Sequence, residues 1–360
     1  MWPREPESAF RMAMHGGRQR TLTPALSQRE RGPTLMPEVV MLQAINRALE
    51  QALGADERVL VIGQDVGKLG GVFRATDGLQ ARFGPQRVFD TPLAESAIVG
   101  TAFGMALTGL RPVAEIQFMG FMYKCADQLV AQAGQIRART WGKATAPLVV
   151  RTPYGGGVRT PEHHSDSLEG LLMGSPGVKV VVPSTALDAA GLLLSAIADP
   201  DPVVMMEPIR LYRGVREELP ERLQPVPLGT ARIRRAGQDV TLVAWGAVVP
   251  SALDAAQAVA SEGIDVEVVD PRTLSPLDWD TLGASVEKTG RLVVAHEAPR
   301  TGGPGGELVA SLVERCFYAL RSPPRRVAGV DVVYPPQLLE DDYLPDARRI
   351  AAALRASMEE

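Results

Sequence analysis

The sequence predicts an α/β fold of two doubly wound domains, each a mostly parallel sheet covered on both faces by helices. Three observations predict it. From residue 39 onward, short continuous apolar runs such as VLVIG (59–63) alternate with segments of helical periodicity. A charged, Pro-rich stretch at 214–228 (GVREELPERLQPVPL) interrupts the alternation and reads as a linker. The alternation then resumes at residue 240 for a second set of strands and helices.

In the first domain, taken as 37–213, helical periodicity at 39–54 leads into strand 59–63. A strand at 87–89 runs into a helix opening at Glu95. Strand 112–116, helix 120–139, strands 147–151 and 178–182, helix 185–198 and strand 203–206 follow. In the second domain, 229–360, strand 240–245, helix 250–262, strand 265–269, helix 277–288, strand 291–295 and helix 303–317 repeat the pattern. A last helix spans about 346–357. Residues 1–36 differ in kind: Arg, Pro and Gly are frequent, and no apolar run is long enough for a signal-peptide core. They read as a disordered extension, with Met36 as a second possible start. A mitochondrial-type presequence is the other reading, weakened by Glu5, Glu7 and Glu30.

Composition narrows the function. Apolar residues make up 45% and charged residues 22% of the chain, an ordinary globular profile. The net charge is −4, and no basic run with interleaved aromatics follows residue 31, so nucleic-acid binding is disfavoured. The apolar stretch 186–198 is too short to span a membrane and contains an acid. The two cysteines, Cys125 and Cys316, form neither a disulfide framework nor a metal pair, and a reducing cytoplasm fits them. The glycine-rich stretches at 67–71, 154–157 and 302–306 match neither the dinucleotide fingerprint nor the P-loop. No GxSxG elbow is present, and no His/Cys spacing suits zinc.

Two residues stand out. Glu95 sits in the first turn of a Gly/Ala-rich helix that follows a strand, at the sheet edge where open α/β folds bind ligands. Water stripped from such an acid suits it to hold or pass a proton; the helix macrodipole alone would also favour an acid there. His164 lies in a long polar Gly/Pro-rich loop (151–168) after strand 147–151, with Ser165 and Asp166 beside it to tune an acid/base role. Phe118, Phe121 and Tyr123 end a strand and open a helix; they are core side chains or a surface for a flat heterocycle.

One ordered set of strings now points to a family: GGVFRATDGL (70–79), RVFDTPLAES (87–96), RPVAEIQF (111–118), RTPYGGGV (151–158), HSDSLEGL (164–171) and PGVKVVVPST (176–185). DVTLVAWGA (239–247), VEVVDPRTLSPLD (266–278) and KTGRLVVAHEAPRTGG (288–303) continue it. Over about residues 37–350 the chain resembles the beta subunit of the thiamine-diphosphate-dependent 2-oxo acid dehydrogenases. The resemblance implies a transketolase-like pyrimidine-binding domain followed by the transketolase C-terminal domain. It implies an α2β2 heterotetramer with an alpha subunit, and the cofactor held between the two. Glu95 falls on the family's glutamate, which hydrogen-bonds N1′ of the aminopyrimidine and so promotes loss of the thiazolium C2 proton. Leu93 and Gln117 fall on residues lining the pyrimidine pocket, and Phe121 on the aromatic that packs on that ring. His164 falls on the active-site histidine that serves acyl transfer to the lipoyl domain of the dihydrolipoyl acyltransferase core. A structural potassium site is implied at the carbonyls of Ala146, Leu148, Val149 and Ala196, with Asp199 and Asp201 nearby.

An absence is equally informative. Enzymes of this cofactor usually hold the Mg-diphosphate with GDG followed some thirty residues on by Asn. This chain has no GDG, and its only asparagine is Asn46, in a helix near the start. The Mg2+ half of the site is therefore expected from the alpha subunit, with this chain inactive alone. The expected activity is oxidative decarboxylation of a 2-oxo acid with reductive acylation of lipoamide. Pyruvate is favoured slightly, because GGGV (155–158) and HSDSLEGL (164–171) are similar to the pattern of bacterial pyruvate dehydrogenases, although EPIRLYR (207–213) resembles branched-chain enzymes equally. Two other readings are a beta subunit of acetoin dehydrogenase and a non-catalytic docking subunit; the latter would leave Glu95 and His164 idle.

Overall fold

The computed structural model describes residues 38–214 and 216–359; the extension expected at 1–36 lies outside them. Among the described residues two large sheets, with one two-stranded pair beside them, organise the chain. The first has seven strands, ordered Thr273–Ser275, Lys179–Val181, Val203–Pro208, Val149–Tyr154, Arg111–Glu115, Val59–Gly63 and Val88–Asp90. All pair in parallel except Thr273–Ser275, which pairs antiparallel with Lys179–Val181. The second has five, ordered Arg325–Gly329, Leu292–Pro299, Val240–Ala244, Val266–Asp270 and Arg232–Arg235, the last antiparallel. The central strands Val59–Gly63, Val240–Ala244 and Val266–Asp270 are buried at every position. Their largely apolar character follows from cover on both faces, with Glu267 and Asp270 as buried acids within Val266–Asp270.

Helix Met41–Ala55 buries Met41, Leu42, Ile45, Ala48, Leu49, Ala52 and Leu53, a stripe at three- and four-residue spacing. It packs against helix Ala186–Ala198 over one face of the first sheet. That second helix opens on Thr185, whose hydroxyl accepts from the Asp188 N–H at 3.1 Å. The other face of the first sheet shares one apolar core with the second domain, running from Val150 and Val204 to Val243, Trp245 and Leu274. Helices Val248–Ala260 and Ala347–Ala356 close the far face of the second sheet.

The junction is polar as well as apolar. Asp188 takes Arg272 at 2.8 Å and Arg234 at 3.5 Å. Segment 216–228, expected as a linker, lies along the first domain: Arg216–Glu217 pairs with Val39–Val40, and Leu219 and Leu223 are buried. Strands Arg232–Arg235, Thr273–Ser275 and Arg325–Gly329 were not expected. Two are outermost in their sheet and carry arginines, and the third is a polar three-residue edge strand, so none shows the apolar run of a central strand.

Charge occurs inside the first sheet at one place. Arg151, 1% exposed, donates from Nη1 to Glu115 at 2.7 Å and from Nε and Nη2 to Glu207 at 2.7 and 3.0 Å. Tyr212 adds its hydroxyl to Glu207 at 2.6 Å. Burial opposes the charge on Arg151, but Glu207 and Glu115 more than offset it, so the guanidinium loses its proton less readily than usual. Replacing Arg151 by Met leaves two carboxylates buried without a charged partner, Glu207 keeping only the Tyr212 hydroxyl. That change should destabilise the protein by about 3–5 kcal/mol, read as a lowered urea midpoint; a loss below about 1 kcal/mol would contradict this view of the network.

Candidate active site

Strands Val88–Asp90, Val59–Gly63, Arg111–Glu115 and Val149–Tyr154 are adjacent and parallel. The segments that leave their C-terminal ends carry Glu95, Asp65, Gln117 and His164 respectively. This is the sheet edge at which doubly wound folds bind ligands.

Glu95 is the first residue of helix Glu95–Leu107, whose inner face buries Ile98, Val99 and Ala102. Its carboxylate is 9% exposed, and Lys124 Nζ lies 3.8 Å from Oε2. The Lys124 ammonium also sits 5.0 Å from the Phe121 ring centre. Phe121 meets His164 nearly edge-on at 5.6 Å, and His164 meets Phe118 at 4.2 Å. Glu95, Lys124, Phe121 and His164 thus form an unbroken run of contacts. Beside it, burial and then the Glu95 charge push the Cys125 thiol up to about 12. Both cysteines are free and buried, as small apolar side chains.

The helix expected over 120–139 is broken into a 3₁₀ segment Met119–Cys125, a π segment Asp127–Ala133 and a short α turn Ile136–Arg139. Gly120 shows one cause. A Cβ there would overlap the His163 carbonyl oxygen, so this segment is shaped by close approach to the histidine turn. At the other end the Gly134 N–H reaches five residues back, to Leu129.

His164 ends the turn Glu162–His164 and is half-buried, with Nδ1 buried and without a hydrogen-bond partner among the described residues. The neighbours expected to tune it do not bond to it: Ser165 Oγ pairs with Thr160 Oγ1 at 2.7 Å. Burial pushes the Asp166 carboxyl up, against the pull of His163. Aromatic rings surround His164 instead. Gln117 Nε2 lies 3.4 Å from Asp65 Oδ2, and Leu93 leaves 65% of its apolar surface open two residues ahead of Glu95.

Comparison with known proteins places the chain. The transketolase pyrimidine binding domain matches residues 38–215, and the transketolase C-terminal domain matches residues 229–350. The chain is similar to the pyruvate dehydrogenase E1 component subunit beta of Staphylococcus epidermidis, with 51% identity over 90% of this chain and all of that protein. The Bacillus subtilis protein of the same name is 50% identical over the same shares. The chain belongs to the family of pyruvate dehydrogenase E1 beta subunits. Among solved structures, a split-gene transketolase described as an inactive beta4 tetramer superposes with a TM-score of 0.73 at 25% identity. The superposition covers 89% of this chain and 98% of the transketolase. The chain is accordingly a beta subunit of the thiamine-diphosphate-dependent decarboxylating component of a 2-oxo acid dehydrogenase complex, and it acts with an alpha subunit. No helix among the described residues is long and apolar enough to cross a membrane.

In this E1 beta subunit Asn46 is engaged elsewhere, donating to the carbonyls of Ala75 and Asp77 at 2.9 and 3.1 Å. Among the described residues no group of His, Cys, Asp and Glu could hold a metal ion. Ala146, Leu148, Val149, Ala196, Asp199 and Asp201 gather where strands Val149–Tyr154 and Val203–Pro208 begin. The carbonyls of Ala146, Leu148 and Ala196 each accept a backbone N–H. Asp199 holds Lys179 at 2.7 Å, and Asp201 holds Arg137 at 2.7 Å. Sequence reasoning missed the Glu115–Arg151–Glu207 network; its one signal was charge inside strands that otherwise read as apolar.

Proposed function

We propose that this E1 beta subunit acts on pyruvate, with Glu95 as proton partner of the cofactor and His164 serving acyl transfer to a lipoyl domain. The observation that carries this is the buried Glu95 carboxylate, joined through Lys124 and Phe121 to His164 at one sheet edge. The residues fit half of a thiamine diphosphate site: a water-poor acid, an open apolar side chain in Leu93, an amide in Gln117 and an aromatic ring in Phe121. When bound, the cofactor supplies the carbon centre on which the 2-oxo acid loses carbon dioxide.

The protein's part is orientation and proton transfer. Glu95 would hold a proton at N1′ of the aminopyrimidine, from a position where Lys124 balances its charge. Leu93 and Gln117 would line the ring, and Phe121 would pack on its face. His164, with Nδ1 lacking a partner among the described residues, would donate a proton as the acyl group moves to the lipoyl sulfur. Mg2+ and the diphosphate would be held by the alpha subunit. The all-oxygen set at Ala146, Leu148, Val149 and Ala196 suits potassium. Because Asp199 and Asp201 already pair with Lys179 and Arg137, the carbonyls would do most of the binding. The reading includes domain limits of 37–213 and 229–360, a cytoplasmic setting, and an acyltransferase core as partner.

Three measurements on the assembled α2β2 protein test this. Glu95→Gln should lower activity by at least ~100-fold and stop C2 proton exchange of bound cofactor, with assembly intact. Undiminished exchange would refute the role of Glu95. His164→Ala should lower transfer to a lipoyl domain by about 100-fold while decarboxylation with an artificial electron acceptor stays within a few-fold; equal losses would refute the acyl-transfer role. In a steady-state screen kcat/KM should be higher for pyruvate than for branched-chain 2-oxo acids, and the reverse order would overturn the substrate reading.

A further inference from the structure

We propose that two buried carboxylates of the second domain, Glu340 and Glu297, clamp the loop that carries His164 and act as positioning residues for acyl transfer. The inference rests on the role just proposed for His164. The loop leaves strand Val149–Tyr154 through Gly155, Gly156 and Gly157, and its backbone N–H groups turn toward the second domain. Gly156 N–H donates to Glu297 Oε1. Gly157 N–H donates to Glu340 Oε1 at 3.0 Å, and Arg159 N–H to the two Glu340 oxygens at 3.2 and 3.3 Å. Both acids are at most 2% exposed. Hydrogen bonds from backbone amides to a carboxylate are roughly twice as strong as neutral ones, and more so away from water.

The backbone is shaped to this contact. Gly155 and Gly157 have φ of +79° and +88°, and Arg159, at +60°, adopts a left-handed conformation costly for a residue with a Cβ. A Cβ on Gly155 would stand 2.8 Å from Glu297 Oε1, and one on Gly156 would overlap the Tyr334 hydroxyl. Tyr334 donates to Glu340 at 2.7 Å, so the same acid fixes the residue that lies over the glycines. From outside, Arg159 reaches Asp341 at 2.6 Å, and Gln337 Nε2 donates to the Arg159 carbonyl at 2.6 Å.

The anchor reaches His164 because the loop closes on itself beyond it. Gly155 N–H donates to the Asp166 carbonyl at 3.1 Å, Thr160 Oγ1 meets Ser165 Oγ at 2.7 Å, and His164 N–H donates to the Pro161 carbonyl at 2.9 Å. With 156–159 held from across the molecule and 160–166 tied to their own start, the imidazole has one seat against Phe118 and Phe121. A clamp of this kind loses its hold when one acceptor is removed, while Glu95 and the cofactor's side of the site stay untouched.

The test uses the α2β2 protein with Glu340→Ala and Glu340→Gln, and Glu297→Gln as an independent arm. Hydrogen exchange of segment 155–165 should speed up about tenfold in Glu340→Ala and less in Glu340→Gln, with exchange elsewhere unchanged. Transfer to the lipoyl domain should fall about tenfold in kcat, with KM for the 2-oxo acid and decarboxylation with an artificial acceptor within about twofold. Glu297→Gln should give the same loop-confined loosening even if Glu340→Ala does not assemble. Unchanged exchange in 155–165, or a loosened loop with unaltered acyl transfer, overturns the clamp. His164→Ala assayed in parallel separates the two ideas: normal acyl transfer in that variant refutes the histidine's role, whereas impaired transfer in His164→Ala together with unaltered transfer in a loosened Glu340 variant refutes the clamp alone.

Discussion

Arg151 joins the C-terminal ends of three central strands, and the site is built on the rim it holds. Its guanidinium binds Glu115 on one neighbouring strand and Glu207 on the other, with almost no contact with water. A buried ion pair of this kind adds little net stability over apolar packing, but losing one partner is costly. Its effect is specificity of register: one arrangement of Arg111–Glu115, Val149–Tyr154 and Val203–Pro208 satisfies all three charges. Gln117, Phe118 and Phe121 leave the first of these strands, and the His164 loop leaves the second. The relative position of the aromatic ledge and the histidine therefore descends from this pair.

The site so formed is one-sided, and its chemistry agrees with that. It offers an acid, an amide, two rings and a histidine. Asn46, the chain's only asparagine, is bonded to the loop at Ala75 and Asp77 and is not free to bind a metal-diphosphate. Leu93 stays 65% exposed in this fold, as the proposed sharing of the site with an alpha subunit requires.

The second domain does more than cover a face. It lends strand Thr273–Ser275 to the first sheet, packs Trp245 flat on His296 in the shared core, and places Glu297 and Glu340 under the glycines of the histidine loop. Burial there pushes Glu169 up to about 7 and His296 down to about 4, shifting both toward their neutral forms in the dry layer between the sheets.

What the sequence by itself determined is whatever depends on local pattern. Val59–Gly63, Val240–Ala244 and helix Met41–Ala55 are readable because burial on two faces or one stripe writes directly into residue order. Glu95 and His164 stood out by type and by place after a strand. Tertiary structure alone decided the rest. The break in 119–139 comes from the approach of Gly120 to His163, and Ser165 and Asp166 proved not to be the partners of His164. Arg151 meets acids 36 and 56 residues away, and Gly157 meets an acid 183 residues away. No local period or propensity encodes such pairs; they exist only once the two sheets have packed and water has been excluded from between them.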